Sequence, residues 1–90
     1  MKTDRSYEIV KESIDKFDVF GFLETGAPAD EYDPEIKSIV KQLNRCNSVI
    51  DISHTISRVF NSYFSNRFHD SFFNEQAEYI YQKLKSDKLI

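Results

Sequence analysis

The sequence predicts an all-α fold, a compact bundle of four helices with a long ordered loop between the first helix and the second. Apolar residues recur at spacings of three and four in four separate stretches, which is the period of an amphipathic helix. Only two glycines and two prolines occur in 90 residues, so few tight turns of the kind that join β-strands are available. A chain of this length forms one domain, which we expect to span residues 1–90.

The first predicted helix covers residues 4–17, and the loop covers residues 18–33. One face of this helix carries an apolar stripe formed by Tyr7, Val10, Ile14 and Phe17. The first half of the loop is also apolar, so we expect it to pack against the helices rather than lie in solvent. Gly26 then permits a backbone conformation with positive φ, which suits a tight turn.

The second predicted helix, residues 34–46, follows the strongest start signal in the chain. Asp33 is expected to be its N-cap, because a carboxylate there accepts a hydrogen bond from a free backbone N–H of the first turn. Pro34 suits the first helical position, where its missing N–H is not needed. Glu35 adds negative charge near the positive end of the helix dipole.

Two further helices are predicted at residues 48–65 and 71–86. Ser48 is a favourable N-cap for the third helix, and Asp70 or Ser71 is expected to cap the fourth. The connections between the second, third and fourth helices are short, which favours antiparallel packing of neighbouring helices.

The composition excludes several classes of protein. The charged fraction of 30% and hydrophobic fraction of 40% are typical of a globular chain rather than a disordered one. The only cysteine, Cys46, cannot form an internal disulfide and is expected to be a small buried or half-buried residue. The N-terminus lacks an apolar signal segment, and no apolar run approaches the length of about 20 residues that crosses a bilayer. We therefore expect a cytoplasmic protein without a membrane partner.

The segment from Gly26 to Ile36 is the densest acidic part of the chain. Residues 27–36 contain four carboxylates and no basic residue. Crowded like charges repel one another and attract a cationic partner. The leading prediction is therefore a recognition surface for a basic protein, formed by Asp30, Glu31, Tyr32 and Asp33. Helix-start chemistry and a metal site are the alternatives, although a calcium loop needs a different spacing and a central glycine.

An aromatic run interleaved with Arg58 and Arg67 is the second candidate site. It consists of Phe60, Tyr63, Phe64, Phe68, Phe72 and Phe73. Helical spacing favours a core role for these rings, and any surplus could form a dimer or partner surface. Rings between basic residues can also stack on single-stranded nucleic acid. The net charge of −3 argues against that partner, and we expect none.

The two histidines do not form a recognisable catalytic or zinc motif. His54 and His69 are too far apart in sequence for a helical metal pair. The one acid–base arrangement that can be written joins His69 and Asp70 to Ser71 or Ser65 as nucleophile, and neighbours in sequence rarely form a working triad. We therefore expect no enzymatic activity, no cofactor and no metal.

Nearly the whole chain resembles the YugE-like family, small helical proteins of Gram-positive bacteria. The resemblance rests mainly on residues 27–33, Ala-Pro-Ala-Asp-Glu-Tyr-Asp, with support from Ile39 and Leu43 and from residues 56–64, Ile-Ser-Arg-Val-Phe-Asn-Ser-Tyr-Phe. Family members often carry a Trp-Asp-Pro-like turn after the first helix, where this chain has Phe-Asp-Val at residues 17–19. The resemblance implies an all-α fold and supplies no established activity.

Three functional classes remain after these exclusions. The leading prediction is a non-enzymatic protein-interaction module, immunity-like or regulatory, that uses the acidic loop. The alternative is a homo-oligomeric structural protein that uses the aromatic residues between 60 and 73, which makes a homodimer a second possible partner. A small metal-dependent enzyme built on the acidic cluster and a histidine is the third and weakest.

Overall fold

Four helices make up the protein. The computed structural model describes residues 5–18, 20–21, 23–26 and 31–88. The helices are α1 (Arg5–Phe17), α2 (Asp33–Gln42), α3 (Val49–Phe64) and α4 (Asn74–Ser86), and a 3₁₀ turn (Leu43–Arg45) extends α2. No strand occurs in these described ranges. The predicted all-α bundle is confirmed, whereas a continuous ordered loop between α1 and α2 is not clearly shown, because several of its residues lie outside the described ranges.

The helices pack in a closed ring. α1 contacts α2 and α4, and α3 contacts the same two helices from the other side. α1 and α4 are antiparallel, as three contacts along their length show: Arg5 with Asp87, Ser13 with the carbonyl of Gln76, and Phe17 with Phe73. Each helix therefore buries one stripe against two neighbours, as the spacing of the apolar residues predicts.

The core combines aliphatic side chains from every helix with two stacked rings. Phe60 and Phe73 are fully buried, with ring centroids 5.4 Å apart and planes 18° from parallel. Burial of a large apolar side chain stabilises the fold by about 1.5–3 kcal/mol. The fully buried isoleucines of the same core are Ile9, Ile14, Ile36, Ile39, Ile52, Ile56 and Ile80.

The predicted apolar half of the loop packs against this core where the structure describes it. Phe20 and Leu23 are partly buried against core residues, and the ring of Phe20 lies 4.5 Å from that of Phe64, centroid to centroid. Gly26 has a φ of +103°, which a side chain rarely adopts, so its predicted conformation is confirmed.

The expected N-cap of α2 is wrong. Tyr32 occupies the capping position and provides no side-chain hydrogen bond, while Asp33 is the first residue of the helix and Pro34 follows it in the first turn. The backbone N–H of Ile36 is bonded to the carbonyl of Tyr32. The carboxylate of Asp33 instead bonds to side chains on α1 and α2, and these contacts take the place of the expected capping bond.

The expected caps of α4 are also wrong. The helix begins at Asn74 with Phe73 in the capping position, and no side chain caps it. The segment before it is held by α3: the hydroxyl of Ser53 donates to the carbonyl of Asp70 at 2.6 Å, and that of Ser57 donates to the carbonyl of His69 at 2.9 Å. These bonds to α3 and the burial of Phe73 hold the chain before Asn74 in a turn, and α4 begins later than the sequence predicts.

Replacement of Ser48 by alanine tests the one predicted cap that is confirmed. The Ser48 hydroxyl accepts a hydrogen bond of 3.2 Å from the backbone N–H of Asp51. We expect Ser48→Ala to lower the free energy of unfolding by about 1 kcal/mol and Ser48→Gly by only a few tenths. Urea denaturation measures both. Ser62→Ala, an exposed site within α3, is the control; an equal loss there would contradict the capping role.

Candidate functional site

The structure separates the four predicted recognition residues. Asp30 lies outside the described residues. Glu31 is exposed in the turn before α2, and the Asp33 side chain is 27% exposed. Tyr32 is 0% exposed, so its ring belongs to the core and is not available at the surface to a partner in this conformation. The expectation that Tyr32 contributes contact area to a partner is therefore corrected.

Tyr32 anchors the chain between α1 and α2. Its hydroxyl donates to a carboxylate oxygen of Asp18 at 2.7 Å and accepts from the backbone N–H of Phe20 at 3.2 Å. The Asp18 carboxylate also accepts the backbone N–H groups of Leu23 at 3.1 Å and Glu24 at 2.9 Å. One carboxylate and one phenol thus fix both ends of the connection.

Asp33 joins α2 to α1. Its carboxylate accepts a hydrogen bond from the Tyr7 hydroxyl and forms an ion pair of 3.1 Å with Lys37, one turn further along α2. The hydrogen bond from Tyr7 and then the contact with Lys37 lower the pKa of Asp33 below its ordinary value. This carboxylate therefore remains charged, and much of its bonding capacity is used within the chain.

Glu35 is a buried carboxylate in the first turn of α2. It is 5% exposed, and its Oε1 atom has no hydrogen-bond partner. Burial raises the pKa of Glu35, its own backbone N–H acts in the opposite direction, and the charges of Glu31 and Asp33 raise it further. These three carboxylates therefore act electrostatically on one small region, which remains electronegative although Lys37 neutralises part of it.

The predicted aromatic run is divided between core and surface. Phe60 and Phe73 are fully buried, Phe64 and Phe68 are half-buried, and Tyr63 and Phe72 are exposed. Most of the run serves the core, as the helical spacing predicts. The surplus rings reach solvent at two separate places, since Phe72 contacts the end of α1 and Tyr63 lies on α3 beside α2.

Phe72 forms an exposed pair with Phe17. Their ring centroids are 6.1 Å apart, and the residues are 48% and 37% exposed. Phe72 also stacks on Phe68, with centroids 4.7 Å apart. Phe17 also lines an open groove of about 360 Å³ between α1 and α4. The lining residues are Ser13, Lys16, Phe17, Glu75, Gln76 and Tyr79. We call this region the α1–α4 face.

The histidines have local roles. Nδ1 of His69 lies 2.9 Å from the Ser71 hydroxyl, but the same nitrogen accepts the backbone N–H of Ser71 at 3.1 Å, as in a capped turn. Asp70 lies 3.8 Å from Nε2 of His54. Ser71 thus approaches His69 as the sequence suggested, whereas Asp70 is directed to the other histidine.

Two further features concern metals and thiols. Within the part of the chain that the structure describes, no three His, Cys, Asp or Glu side chains are grouped so that they could hold a metal ion. Cys46 is half-buried, as predicted, with its sulfur 3.5 Å from the hydroxyl of Thr55.

Sequence reasoning missed Asp18, the residue that organises the connection. It has a φ of +49°, in the left-handed region that aspartate tolerates better than most residues. A signal was present, because an aspartate directly after an apolar helix stripe is a common start of a turn. The tyrosine fourteen positions later could not be identified as its partner from spacing.

The fold and the site define a small all-α domain with an anchored acidic turn, which carries the carboxylates of Glu31, Asp33 and Glu35, and a separate exposed aromatic pair. Comparison with protein-family models, curated proteins and solved structures found no match to this chain. Among the described residues, no helix has both the length and the apolar character needed to cross a membrane.

Removal of the Tyr32 hydroxyl tests its anchoring role. We expect Tyr32→Phe to lower the free energy of unfolding by about 2 kcal/mol, because a buried bond to a carboxylate is lost and the N–H of Phe20 loses its acceptor. Chemical denaturation gives the value. Tyr63→Phe, at an exposed ring, is the matched control and should change stability little; similar losses in both variants would contradict the anchoring role.

Glu35→Gln should stabilise the protein by roughly 1 kcal/mol at neutral pH, because it removes a buried charge. The pKa of Glu35 is raised in the folded state, so the wild type loses stability as pH rises from the ordinary glutamate range through this raised value. The gain in stability of Glu35→Gln over the wild type should therefore be complete at pH values above the raised pKa of Glu35. It should vanish at pH values below the ordinary glutamate range. Denaturation of both proteins across this pH range measures it, and a gain independent of pH would contradict the assignment.

Proposed function

We propose that the protein is a non-enzymatic protein-interaction module that recognises a basic partner through its acidic turn, with Glu31 as the exposed contact. The observation that carries the proposal is the position of this residue. Glu31 is exposed and directly precedes Tyr32, whose ring is buried. The backbone that carries the Glu31 carboxylate is therefore held in place. An ordered charge loses little freedom when it pairs with an arginine or lysine of a partner.

The neighbouring carboxylates support this function through their field. Glu31 and Asp33 both contribute to the raised pKa of Glu35, so their negative potentials add in the same region. Asp33 is already paired with Lys37 and bonded to Tyr7, and its part is therefore to add potential rather than to form a new pair. Such a field accelerates the association of an oppositely charged protein and weakens as salt is added.

Tyr32 has a different role from the one expected from the sequence. It holds the turn through Asp18 and Phe20 and does not contact the partner itself. Asp30 remains a candidate contact on sequence grounds alone. A toxin-neutralising immunity protein, or another small bacterial regulator, would suit the size and acidity of this chain, and we include both in the proposed class.

The catalytic alternative has weaker support. His69 accepts a backbone N–H at the nitrogen that would have to take a proton from Ser71, which makes it a turn-capping group. Both side chains are exposed, whereas a base that activates a serine works best in a site from which water is excluded.

Affinity capture from native lysate of the source cells tests the function. The baits are the wild type, Glu31→Gln, and the control Glu78→Gln, which removes one exposed charge from α4. We expect one protein to be held by the wild type and the control and depleted at least about fivefold on Glu31→Gln, because a charge-assisted contact is lost. The purified partner should then associate more slowly as ionic strength rises.

Two results would contradict the proposal. Equal capture of the partner by all three baits would remove Glu31 from the interface. A partner lost equally from Glu31→Gln and Glu78→Gln would show that only the total charge matters. Because neither residue is buried, circular dichroism should show all three baits folded to the same extent, and this check is made first.

A further inference from the structure

We propose that the α1–α4 face is a homodimer interface, occupied by the same face of a second copy of this chain. This goes beyond the recognition of a basic partner, because it uses none of the acidic-turn residues. The aromatic pair Phe17 and Phe72 lies at one end of this face, where α1 ends and α4 begins, with both rings in contact and each more than a third exposed. Exposed aromatic clusters of this kind are typical anchors of protein interfaces.

The charges beside the groove identify the occupant. Lys16, in the last turn of α1, and Glu75, in the first turn of α4, line opposite walls of the same groove. Both are exposed, and neither takes part in an ion pair within the described residues. Next to the aromatic pair, the groove thus has a basic residue on one wall and an acidic residue on the other, and this arrangement is complementary to a copy of itself.

The antiparallel packing of α1 and α4 determines the symmetry. Lys16 and Glu75 lie at the same level along the groove, because Phe17 contacts Phe73 and Ser13 contacts Gln76. A two-fold axis parallel to the groove places α1 of each copy over α4 of the other. Each Lys16 then faces a Glu75 of its partner, whereas an axis across the groove would set equal charges together.

The size of the face predicts a weak dimer. Each helix has 13 residues, so the face measures about 20 Å along the helices and, for two adjacent helices, about 20 Å across. Roughly 400 Å² per subunit, or about 800 Å² in total, is below the roughly 1,000 Å² that specific interfaces usually exceed, and it corresponds to weak association. The dimer is therefore expected to form in the micromolar to millimolar range and to dissociate on dilution.

Sedimentation velocity over this concentration range measures the dimer. The wild type should change from monomer to dimer, and Phe72→Ala should raise the dissociation constant by at least about tenfold, because it removes an exposed aromatic anchor. Tyr63→Ala is the matched control: its ring is 50% exposed, but on α3, and its dissociation constant should equal that of the wild type. Thermal unfolding followed by circular dichroism confirms that each variant is folded.

Charge exchange tests the symmetry independently of folding effects. Lys16→Glu and Glu75→Lys should each raise the dissociation constant by about tenfold, since each reversal creates two repulsive pairs across a two-fold axis. An equimolar mixture of the two variants should recover dimerisation close to that of the wild type. In the mixed dimer both pairs are again opposite in sign. Native mass spectrometry distinguishes the heterodimer from the two homodimers.

The outcomes are decisive. A wild type that stays monomeric up to millimolar concentration overturns the proposal. So does a dimer that Phe72→Ala leaves intact, or a mixture of the charge variants that forms no heterodimer. The acidic-turn function would survive each of these results, because capture by the wild-type bait depends on Glu31 and not on this face.

Discussion

The contact between the carboxylate of Asp18 and the hydroxyl of Tyr32 is the constraint on which the rest of the site depends. Asp18 ends α1 in a left-handed conformation and accepts the N–H groups of Leu23 and Glu24. Tyr32 ends the connection and occupies the capping position of α2. Because the two residues hold each other, the chain between two helices is tied at both ends, and the acidic turn has a defined position on the surface.

Several buried or half-buried polar groups in this small domain are compensated by hydrogen bonds. Asp18 and Asp33 are compensated by several donors, and Ser53 and Ser57 satisfy the backbone before α4. Oδ1 of Asp15 is buried without a hydrogen-bond partner, and Glu35 has both an unpartnered oxygen and a raised pKa. A buried acceptor without a partner costs about 1–3 kcal/mol. For Glu35, this cost falls beside Glu31, the exposed charge that we assign to recognition.

The two proposed surfaces differ in the interaction by which each would bind its partner. The acidic turn acts over distance through its potential, so its effect is mainly on the rate of encounter and depends on salt. The α1–α4 face acts through apolar contact between rings, and its charges select orientation rather than supply most of the affinity. The two proposed surfaces have no residue in common.

The sequence by itself determined the all-α class, the four helices and most of the core, because a period of three to four apolar residues is a local property of the chain. It also located the Ser48 cap, which depends on residues only three positions apart. Tertiary structure decided the burial of Tyr32, the hydrogen bond from Tyr7 to Asp33, and the start of α4 at Asn74 rather than at the predicted residue 71. Each of these outcomes depends on a contact with a residue many positions away in the sequence. A side chain that could have capped a helix or contacted another protein instead joins two parts of the fold. The same holds for Phe17, whose exposure beside Phe72 arises only when α1 meets the start of α4.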